Sequence, residues 1–416
     1  MQRPANNVRF SLLHGFYWSS FCILYSFLVP LYRHYGFNEV TIGFLSMTGS
    51  LASMVIQPLW GLVCDRTGRI KGIFTAMVLF SILASYGLWL GRISAGWMFP
   101  VVFLLASTFM SMGTVLDSWV MKMGNEGHNV RYSITRGIGS LVFAATSFGF
   151  GRLLDAVGMS VIPMAFTVMA LLLAGTAALT RAPMHINHDI QTDAATNRPT
   201  AHLLSAFADL AKNRRFMLLL VSMIFVFIGT GASIVFMPVR MAELGGANAA
   251  VGTAMTVMAL SEAAAMLLHH RMAKRFRNEL LLVVSLFFFI VKIVVLAVAP
   301  SVTLLIASQI FQFFSFGLYM PSVMHHLNHI VGERQLTTAM LLFASGSFGL
   351  GMMIGSSAGG ILAGMLGVQS MLLILAGVTA CGFLLYLASN REQIRGCQFS
   401  GTFDTGGGQR KNETDS

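Results

Sequence analysis

The chain reads VTIGFLSMTGSLASMVIQPLWGLVCDRTGRIKGIFTAMVLFSILASYGLWL from residue 40 to residue 90. Two apolar runs, residues 40–64 and 72–90, are separated by the charged loop DRTGRIK at residues 65–71. An apolar run of roughly 20 residues is long enough to cross the hydrocarbon core of a bilayer as a helix. A short charged loop between two such runs is a turn at the membrane surface. The stretch therefore predicts a pair of antiparallel transmembrane helices.

The same pattern extends over the whole chain. Of the 416 residues, 55% are hydrophobic and only 10% are charged, and the mean hydropathy is +0.72. A soluble domain carries about 25% charged residues, so the composition excludes an ordinary soluble protein. Apolar runs predict twelve spans, numbered 1 to 12 in chain order: 10–30, 40–64, 72–90, 96–120, 133–154, 159–179, 216–239, 250–270, 280–299, 302–323, 336–362 and 368–387. We expect an all-α polytopic membrane protein.

A polar stretch divides the twelve transmembrane helices into two sets of six. We predict an N-terminal six-helix bundle at residues 1–180, a cytoplasmic linker at 181–212 and a C-terminal six-helix bundle at 213–389. The remaining residues, 390–416, contain few apolar side chains and predict a disordered cytoplasmic tail. Duplicated bundles are the usual build of secondary transporters, so we expect two pseudo-symmetric halves.

The basic residues predict the orientation. Cytoplasmic loops of membrane proteins hold an excess of Lys and Arg. If the N-terminus is cytoplasmic, the outer loops hold only Arg33, Arg92, Arg152 and Arg240. The same distribution accounts for the net charge of +11 and the pI near 9.9 without a nucleic-acid partner, because no loop holds a folded basic module. We expect a multi-pass protein with cytoplasmic N- and C-termini.

Four ionisable residues lie inside otherwise apolar spans: Asp117, Arg136, Glu262 and Lys292. A charge near the middle of a bilayer is costly unless it finds a partner or water, so such residues usually mark a substrate or proton pathway. Because a helix rises about 1.5 Å per residue, each acid shares the depth of one base, and we expect two pairs. Structural salt bridges that hold helices together are the alternative, although buried ion pairs add little net stability. His14 of span 1 either titrates or forms a hydrogen bond with a neighbouring helix.

A compact motif occupies the loop between spans 2 and 3. It contains Gly61, Asp65, Arg66, Gly68 and Arg69 within GLVCDRTGRIK at residues 61–71. With its Gly, Asp-Arg, Gly-Arg and final basic residue, it resembles the signature loop of the major facilitator superfamily. That resemblance implies a conformational latch, in which the acid caps and pairs with neighbouring helix ends and holds the outward-facing state. On the plainer alternative, the arginines satisfy the orientation rule and the second glycine supplies a turn.

Three further patches are QPLWGL at residues 57–62, YSITRGIGS at residues 132–140, and Glu262 with Lys292. They resemble the lactose permease group and its relatives that carry phenylpropionate or nucleosides. The resemblance implies a bacterial inner (plasma) membrane protein that binds a small-molecule substrate and protons. It places Asp117 and Arg136 in substrate binding, and Glu262 and Lys292 in proton coupling.

Span 10 departs from the lactose permease pattern. Where that protein has a histidine and an acid, this chain has Gln312 and Ser315, and neither side chain carries a proton near neutral pH. Proton coupling is thereby concentrated on Glu262, with Asp117 as the second candidate, and Gln312 becomes a candidate substrate ligand. Phe143 stands where that group has the aromatic residue that packs against the sugar ring, so it is a further substrate-binding candidate while lactose itself is disfavoured.

These residues predict a secondary active transporter that takes up a small polar organic solute by proton-coupled symport and alternating access. A sugar or glycoside is the first expectation for the solute, and an aromatic acid or nucleoside the second. A proton-coupled drug or metabolite exporter of the same superfamily is the main alternative, and a membrane sensor or scaffold is another. Because the sequence has no nucleophile and base constellation and no metal-ligand spacing, we expect no enzyme activity, no cofactor and no metal. We expect a monomer in the lipid bilayer.

Overall fold

The computed structural model describes residues 4–126, 130–181, 210, 212–331 and 336–391. These residues form helices, and twelve segments among them are long and apolar enough to cross a membrane. Spans 1 to 12 are Asn7–His34, Glu39–Cys64, Ile70–Arg92, Ala95–Gly124, Tyr132–Val157, Met159–Leu179, Arg214–Glu243, Asn248–Arg275, Asn278–Val298, Val302–Val331, Ala339–Leu366 and Val368–Ser389. The predicted all-α fold with twelve spans is confirmed. Most of the predicted linker and tail lies outside the described residues.

Half of the spans are single helices, which are Glu39–Thr67, Tyr132–Val157, Arg214–Glu243, Asn248–Arg275, Asn278–Val298 and Val368–Ser389. Tight 3-10 turns begin span 6, at Met159–Val161 before Ile162–Leu179, and end span 3, at Tyr86–Arg92 after Ile70–Ser85. Wide π-helical turns interrupt three others: span 1 (Pro4–Phe21, Cys22–Ser26, Leu28–His34), span 4 (Ala95–Leu105, Ala106–Met110, Ser111–Asn125) and span 11 (Leu336–Ala344, Ser345–Gly351, Met352–Leu366). Span 10 runs as Val302–Ser308, Gln309–Gln312 and Phe316–Val331. Its break places Gln312 where the regular helix is interrupted.

Successive spans alternate in direction and therefore define two ends of the molecule. We call the end that carries residues 4 and 391 the terminal face, and the opposite end the hairpin face. Spans 1 to 6 and spans 7 to 12 form the two bundles. Apolar side chains fill each bundle, and the largest fully buried ones include Trp119 and Phe166 in the first bundle and Tyr319 and Phe227 in the second.

Glycines bring the two bundles together on the hairpin-face side of the membrane. Spans 2 and 11 meet at Gly43 and Gly360, where a Cβ atom added to Gly43 would lie 2.8 Å from the Cα atom of Gly360. Spans 5 and 8 meet at Gly151, where an added Cβ atom would lie 2.5 Å from the carbonyl oxygen of Asn248. Backbones that approach this closely require residues without side chains at the contact. The bundles are therefore closed against each other at the hairpin face.

A cavity of about 590 Å³ lies between the bundles in the other half of the membrane. Its walls come from the later parts of spans 2 and 4 and the first part of span 11, including Gln57, Thr114, Ser118 and Phe348. All three segments are on the terminal-face side of the glycine contacts. The molecule is thus closed at one face and hollow toward the other, which is the asymmetry that an alternating-access cycle requires.

Candidate functional site

The intramembrane acid of the first bundle, Asp117 of span 4, pairs with a histidine. Its Oδ1 atom lies 3.2 Å from Nε2 of His14 in span 1. The histidine side chain is fully buried, whereas 36% of the Asp117 side chain is exposed. The expected direct pair between Asp117 and Arg136 does not form, because span 1 places its imidazole against the carboxylate. The choice of partner is therefore a correction to the sequence-based expectation, while the proposed roles of both residues stay predictions.

Arg136 of span 5 is held by an aromatic ring and a hydroxyl instead. Its guanidinium carbon lies 4.0 Å from the ring centre of Trp18, and Nη1 donates a hydrogen bond of 3.0 Å to Oγ of Ser140. A cation over an indole face is attracted by the negative charge density of the ring. The hydroxyl of Tyr132 faces both this guanidinium and the carboxylate of Asp117. Arg136 and Asp117 thus share one polar patch without forming an ion pair.

The charges of the second bundle are connected by an amide. Nζ of Lys292 in span 9 donates a hydrogen bond of 2.5 Å to Oε1 of Gln312. Nε2 of the same amide donates a hydrogen bond of 3.2 Å to Oε2 of Glu262 in span 8. The acid and the base therefore interact through Gln312, which lies at the break in span 10, rather than directly as the depth argument implied. An amide that accepts from the cation and donates to the anion satisfies both charges inside the membrane.

The two charge groups belong to different bundles and face each other. The positive charge of Arg136 in the first bundle acts on Glu262 in the second. Spans 5 and 8, which carry these residues, are also joined toward the hairpin face by a hydrogen bond of 2.9 Å from Oγ1 of Thr256 to the carbonyl oxygen of Ala144. A solute bound between the bundles would therefore lie between groups of both signs.

Aromatic side chains border the Arg136 side of this region. Phe143, a predicted substrate contact, is 8% exposed and stands edge-on to Trp18 with the ring centres 6.3 Å apart. Tyr17 and Phe21 continue the aromatic cluster along span 1. Sequence reasoning overlooked Trp18. The available signal was its spacing from His14, because residues four apart share one face of a helix.

The predicted latch residues lie at the terminal-face end of span 2. Gly68 has a φ of +64° and its N–H donates to the carbonyl oxygen of Cys64, so it ends the helix in a left-handed cap. Arg66 and Arg69 are exposed, Gly61 lines the cavity, and the side chain of Asp65 falls outside the described residues. The turn function of the glycine is confirmed. The latch function of the motif stays a prediction.

The basic end of this motif has a role that the sequence did not suggest. Nζ of Lys71 donates hydrogen bonds of 2.6 Å to the carbonyl oxygen of Ala178 and of 2.9 Å to that of Thr180. These carbonyls belong to the last turn of span 6, where a helix lacks internal donors. Lys71 therefore ties the start of span 3 to the end of span 6 within the first bundle.

Twelve spans in two bundles, closure at one face and charged groups at the bundle interface define the class of secondary transporters. The family comparison agrees with this class. Residues 8–374 match the model of the MFS_1 like family, so the chain belongs to that family of the major facilitator superfamily. The protein is accordingly a multi-pass transporter of this superfamily and not an enzyme.

Two relatives in sequence extend over almost the whole chain. A protein named maltose permease, from Geobacillus stearothermophilus, is 27% identical over 396 residues, which cover 94% of this chain and 97% of that protein. The uncharacterized transporter YwbF of Bacillus subtilis (strain 168) is 22% identical over 391 residues, or 91% of this chain and 92% of the relative.

Solved structures share the fold at lower identity. The nucleoside transporter NupG superimposes with a TM-score of 0.75 at 17% identity, covering 92% of this chain and 98% of that one. A bacterial homolog of the human lysosomal transporter Spinster, solved in an inward-facing and unoccupied conformation, gives 0.67 at 15% identity and covers 96% and 99% of the two chains. At these identities the likeness concerns the fold alone.

Proposed function

We propose that the protein takes up a small polar solute, with a sugar as the preferred class, by proton-coupled symport. The observation that carries this proposal is the Lys292–Gln312–Glu262 chain of the second bundle, which faces Arg136 of the first. Coupling requires a proton acceptor whose charge is felt by the groups that hold the solute. The bundle interface supplies that combination.

Glu262 is the proposed proton carrier. Gln312 donates a hydrogen bond to its carboxylate, and the positive charges of Arg136 and Lys292 act on the same group. A solute that accepts hydrogen bonds from these groups withdraws them from the carboxylate, which then binds a proton more readily. The loaded site, in which the Glu262 carboxyl group is neutral, crosses as the bundles rock. Loss of the solute at the other face restores the donors to Glu262 and releases the proton there.

A sugar fits the chemistry of this interface best. Its hydroxyls match the guanidinium of Arg136 and the amide of Gln312, while its C–H face matches the rings of Trp18 and Phe143. The likeness to a maltose permease over 94% of the chain favours the same class. An aromatic acid or a nucleoside would use the same cation and rings, and both belong in the test.

In the proposed setting the protein is a monomer in the inner (plasma) membrane of a bacterium, with its terminal face in the cytoplasm. The exposed cations Arg66, Arg69 and Arg271 lie at that face, as the excess of cytoplasmic Lys and Arg requires. The structure then corresponds to a state that is closed to the outside. The predicted bundles, 1–180 and 213–389, are the two bodies that rock.

Solute flux in proteoliposomes tests the proposal. Vesicles containing the purified protein receive radiolabelled maltose, a nucleoside or an aromatic acid, with and without an inward proton gradient. We expect maltose or another sugar to accumulate only when the gradient is present. Expulsion of preloaded solute by the inward gradient would identify an exporter. An absence of solute flux in both directions would reject transport of these solutes, and accumulation without the gradient would reject proton coupling.

A further inference from the structure

The hydrogen-bond geometry of His14 determines how many protons its site holds. Nδ1 of the imidazole lies 3.2 Å from the carbonyl oxygen of Phe10, one turn earlier in span 1. A carbonyl oxygen only accepts hydrogen bonds, so Nδ1 carries the proton of this contact. Nε2, the atom that meets Asp117, therefore carries a proton only when the ring is a charged imidazolium.

The contact between Nε2 and Oδ1 of Asp117 then needs one shared proton. An imidazolium donates it to an ionised carboxylate, or a neutral imidazole accepts it from a carboxylic acid. Both arrangements have zero net charge and both satisfy the 3.2 Å contact. Removal of the proton would set a nitrogen lone pair against a negative oxygen, which is repulsive, and would leave a net negative charge. The loss of the proton and the breaking of the contact are thus one event.

The surroundings of the pair allow such an event. The titratable and charged groups facing it are Tyr17 on span 1 and Tyr132 and Arg136 on span 5. Lys122, toward the end of span 4, lines the cavity. Span 6, which also packs against span 1, contains no titratable residue. Arg136 is the cation that attracts a freed Asp117 carboxylate, since the hydroxyl of Tyr132 already faces both side chains.

The two members of the pair differ in their access to water. His14 is fully buried, while the Asp117 side chain is 36% exposed. Thr114 and Ser118, on either side of Asp117 in span 4, line the 590 Å³ cavity. Of the two side chains, Asp117 is therefore the one that a proton arriving from water reaches first.

We infer that His14 and Asp117 form a second proton site of the transport cycle, in the opposite bundle from Glu262. The site is loaded when the two side chains are in contact. It unloads when Asp117 turns toward Arg136 and the solute, and the proton leaves through the cavity. This inference rests on the proposed function and adds to it a residue, His14, and a proton separate from that of Glu262.

The number of protons moved per solute is the quantity that tests the second site. This ratio is calculated from the membrane potential at which net solute flux stops, measured in proteoliposomes with fixed solute and proton gradients. The comparison uses wild type, His14→Gln, Asp117→Asn, the double variant and His269→Gln. The last is a matched control, because His269 is also a buried span histidine but its Nε2 meets a hydroxyl, that of Ser322, at 3.3 Å.

We expect the ratio to fall by the same single proton in His14→Gln, Asp117→Asn and the double variant, and to stay at the wild-type value in His269→Gln. A merely structural pair would slow transport and leave the ratio unchanged, which would overturn the inference while proton coupling through Glu262 stands. A double variant that loses more than either single variant would show two independent sites and would also overturn it.

Nitrogen-15 NMR of the imidazole in solute-free protein separates failure of the inference from failure of the proposed function. It applies even if the wild type moves no protons with its solute. We expect Nδ1 of His14 to stay protonated across the titration, and Nε2 to exchange its proton in one step that Asp117→Asn displaces. An identical His14 titration in the two proteins would refute the shared proton.

Discussion

The Asp155 carboxylate at the end of span 5 holds the first turn of span 8 through Asn248. Its Oδ1 atom accepts hydrogen bonds from the backbone N–H of Asn248 at 3.0 Å and from the side-chain amide at 2.8 Å. Oδ2 accepts from the backbone N–H of Ala249 at 2.8 Å. The first N–H groups of a helix lack internal partners, and an acid beside them also interacts favourably with the helix dipole. An acid of one bundle therefore caps a helix of the other. This cap exists only while the hairpin face is closed.

Replacing this acid should open the hairpin face. Capping contacts contribute about 0.5 to 2 kcal/mol, so Asp155→Ala should raise the population of molecules open at the hairpin face by roughly tenfold. Distances between spin labels at the ends of spans 5 and 8 report the change. Glu243→Gln is the control, because Glu243 pairs with Arg240 of its own span, also near the hairpin face. Equal distance distributions in Asp155→Ala and wild type would show that the cap does not stabilise closure.

The glycine contact between spans 2 and 11 should be intolerant of side chains. A Cβ atom on Gly360 would lie 2.8 Å from the carbonyl oxygen of Glu39 and 2.9 Å from the Cα atom of Gly43. Both neighbours are backbone atoms and cannot move aside cheaply. We expect Gly360→Leu to hold the hairpin face apart and to reduce solute accumulation at least tenfold.

The matched control for that variant is Gly377→Leu in span 12. A Cβ atom there meets nothing within 4 Å, so the same substitution should leave accumulation close to wild type. Spin labels at the hairpin-face ends of spans 2 and 11 should move apart only in Gly360→Leu. Normal closure in that variant would contradict the account of the contact.

The amide of Gln312 should be essential because it serves both charges of the second bundle. Gln312→Leu removes the acceptor of Lys292 and the donor of Glu262 together. Each buried polar group left unsatisfied costs about 1 to 3 kcal/mol, so we expect a lower melting temperature in detergent and a loss of coupled uptake.

Gln309→Leu is the control for this change, since Gln309 lies in the same break and its side-chain amide donates within its own span, to Leu305 and Ser308. Melting temperature and uptake should decrease less in Gln309→Leu than in Gln312→Leu. Similar losses in the two variants would assign the effect to the break in span 10 rather than to the bridge.

Hydropathy could be read from the chain, and it predicted the twelve spans and located the four charged residues inside them. Partner choice could not be predicted in this way. Depth along a helix locates Asp117 and Arg136 at one level, but the rotation of each span about its axis decides which side chains touch. Span 1 turns His14 toward Asp117, and the break in span 10 inserts Gln312 between Glu262 and Lys292. The rotation of span 1 and the break in span 10 both depend on packing between segments that are distant in the sequence.

Proton influx triggered by solute tests the central claim most directly. Proteoliposomes with a pH-sensitive dye inside receive the transported sugar without any imposed gradient, and wild type is compared with Glu262→Gln and Glu279→Gln. Glu279 makes a pair with Arg277 outside the site, at 3.5 Å, and serves as the control. We predict full acidification of the lumen in wild type and Glu279→Gln and a smaller acidification in Glu262→Gln, which lacks one of the protons that accompany the solute, while its exchange of labelled for unlabelled sugar should continue. Wild-type acidification in Glu262→Gln would contradict the assignment of the proton to this carboxylate.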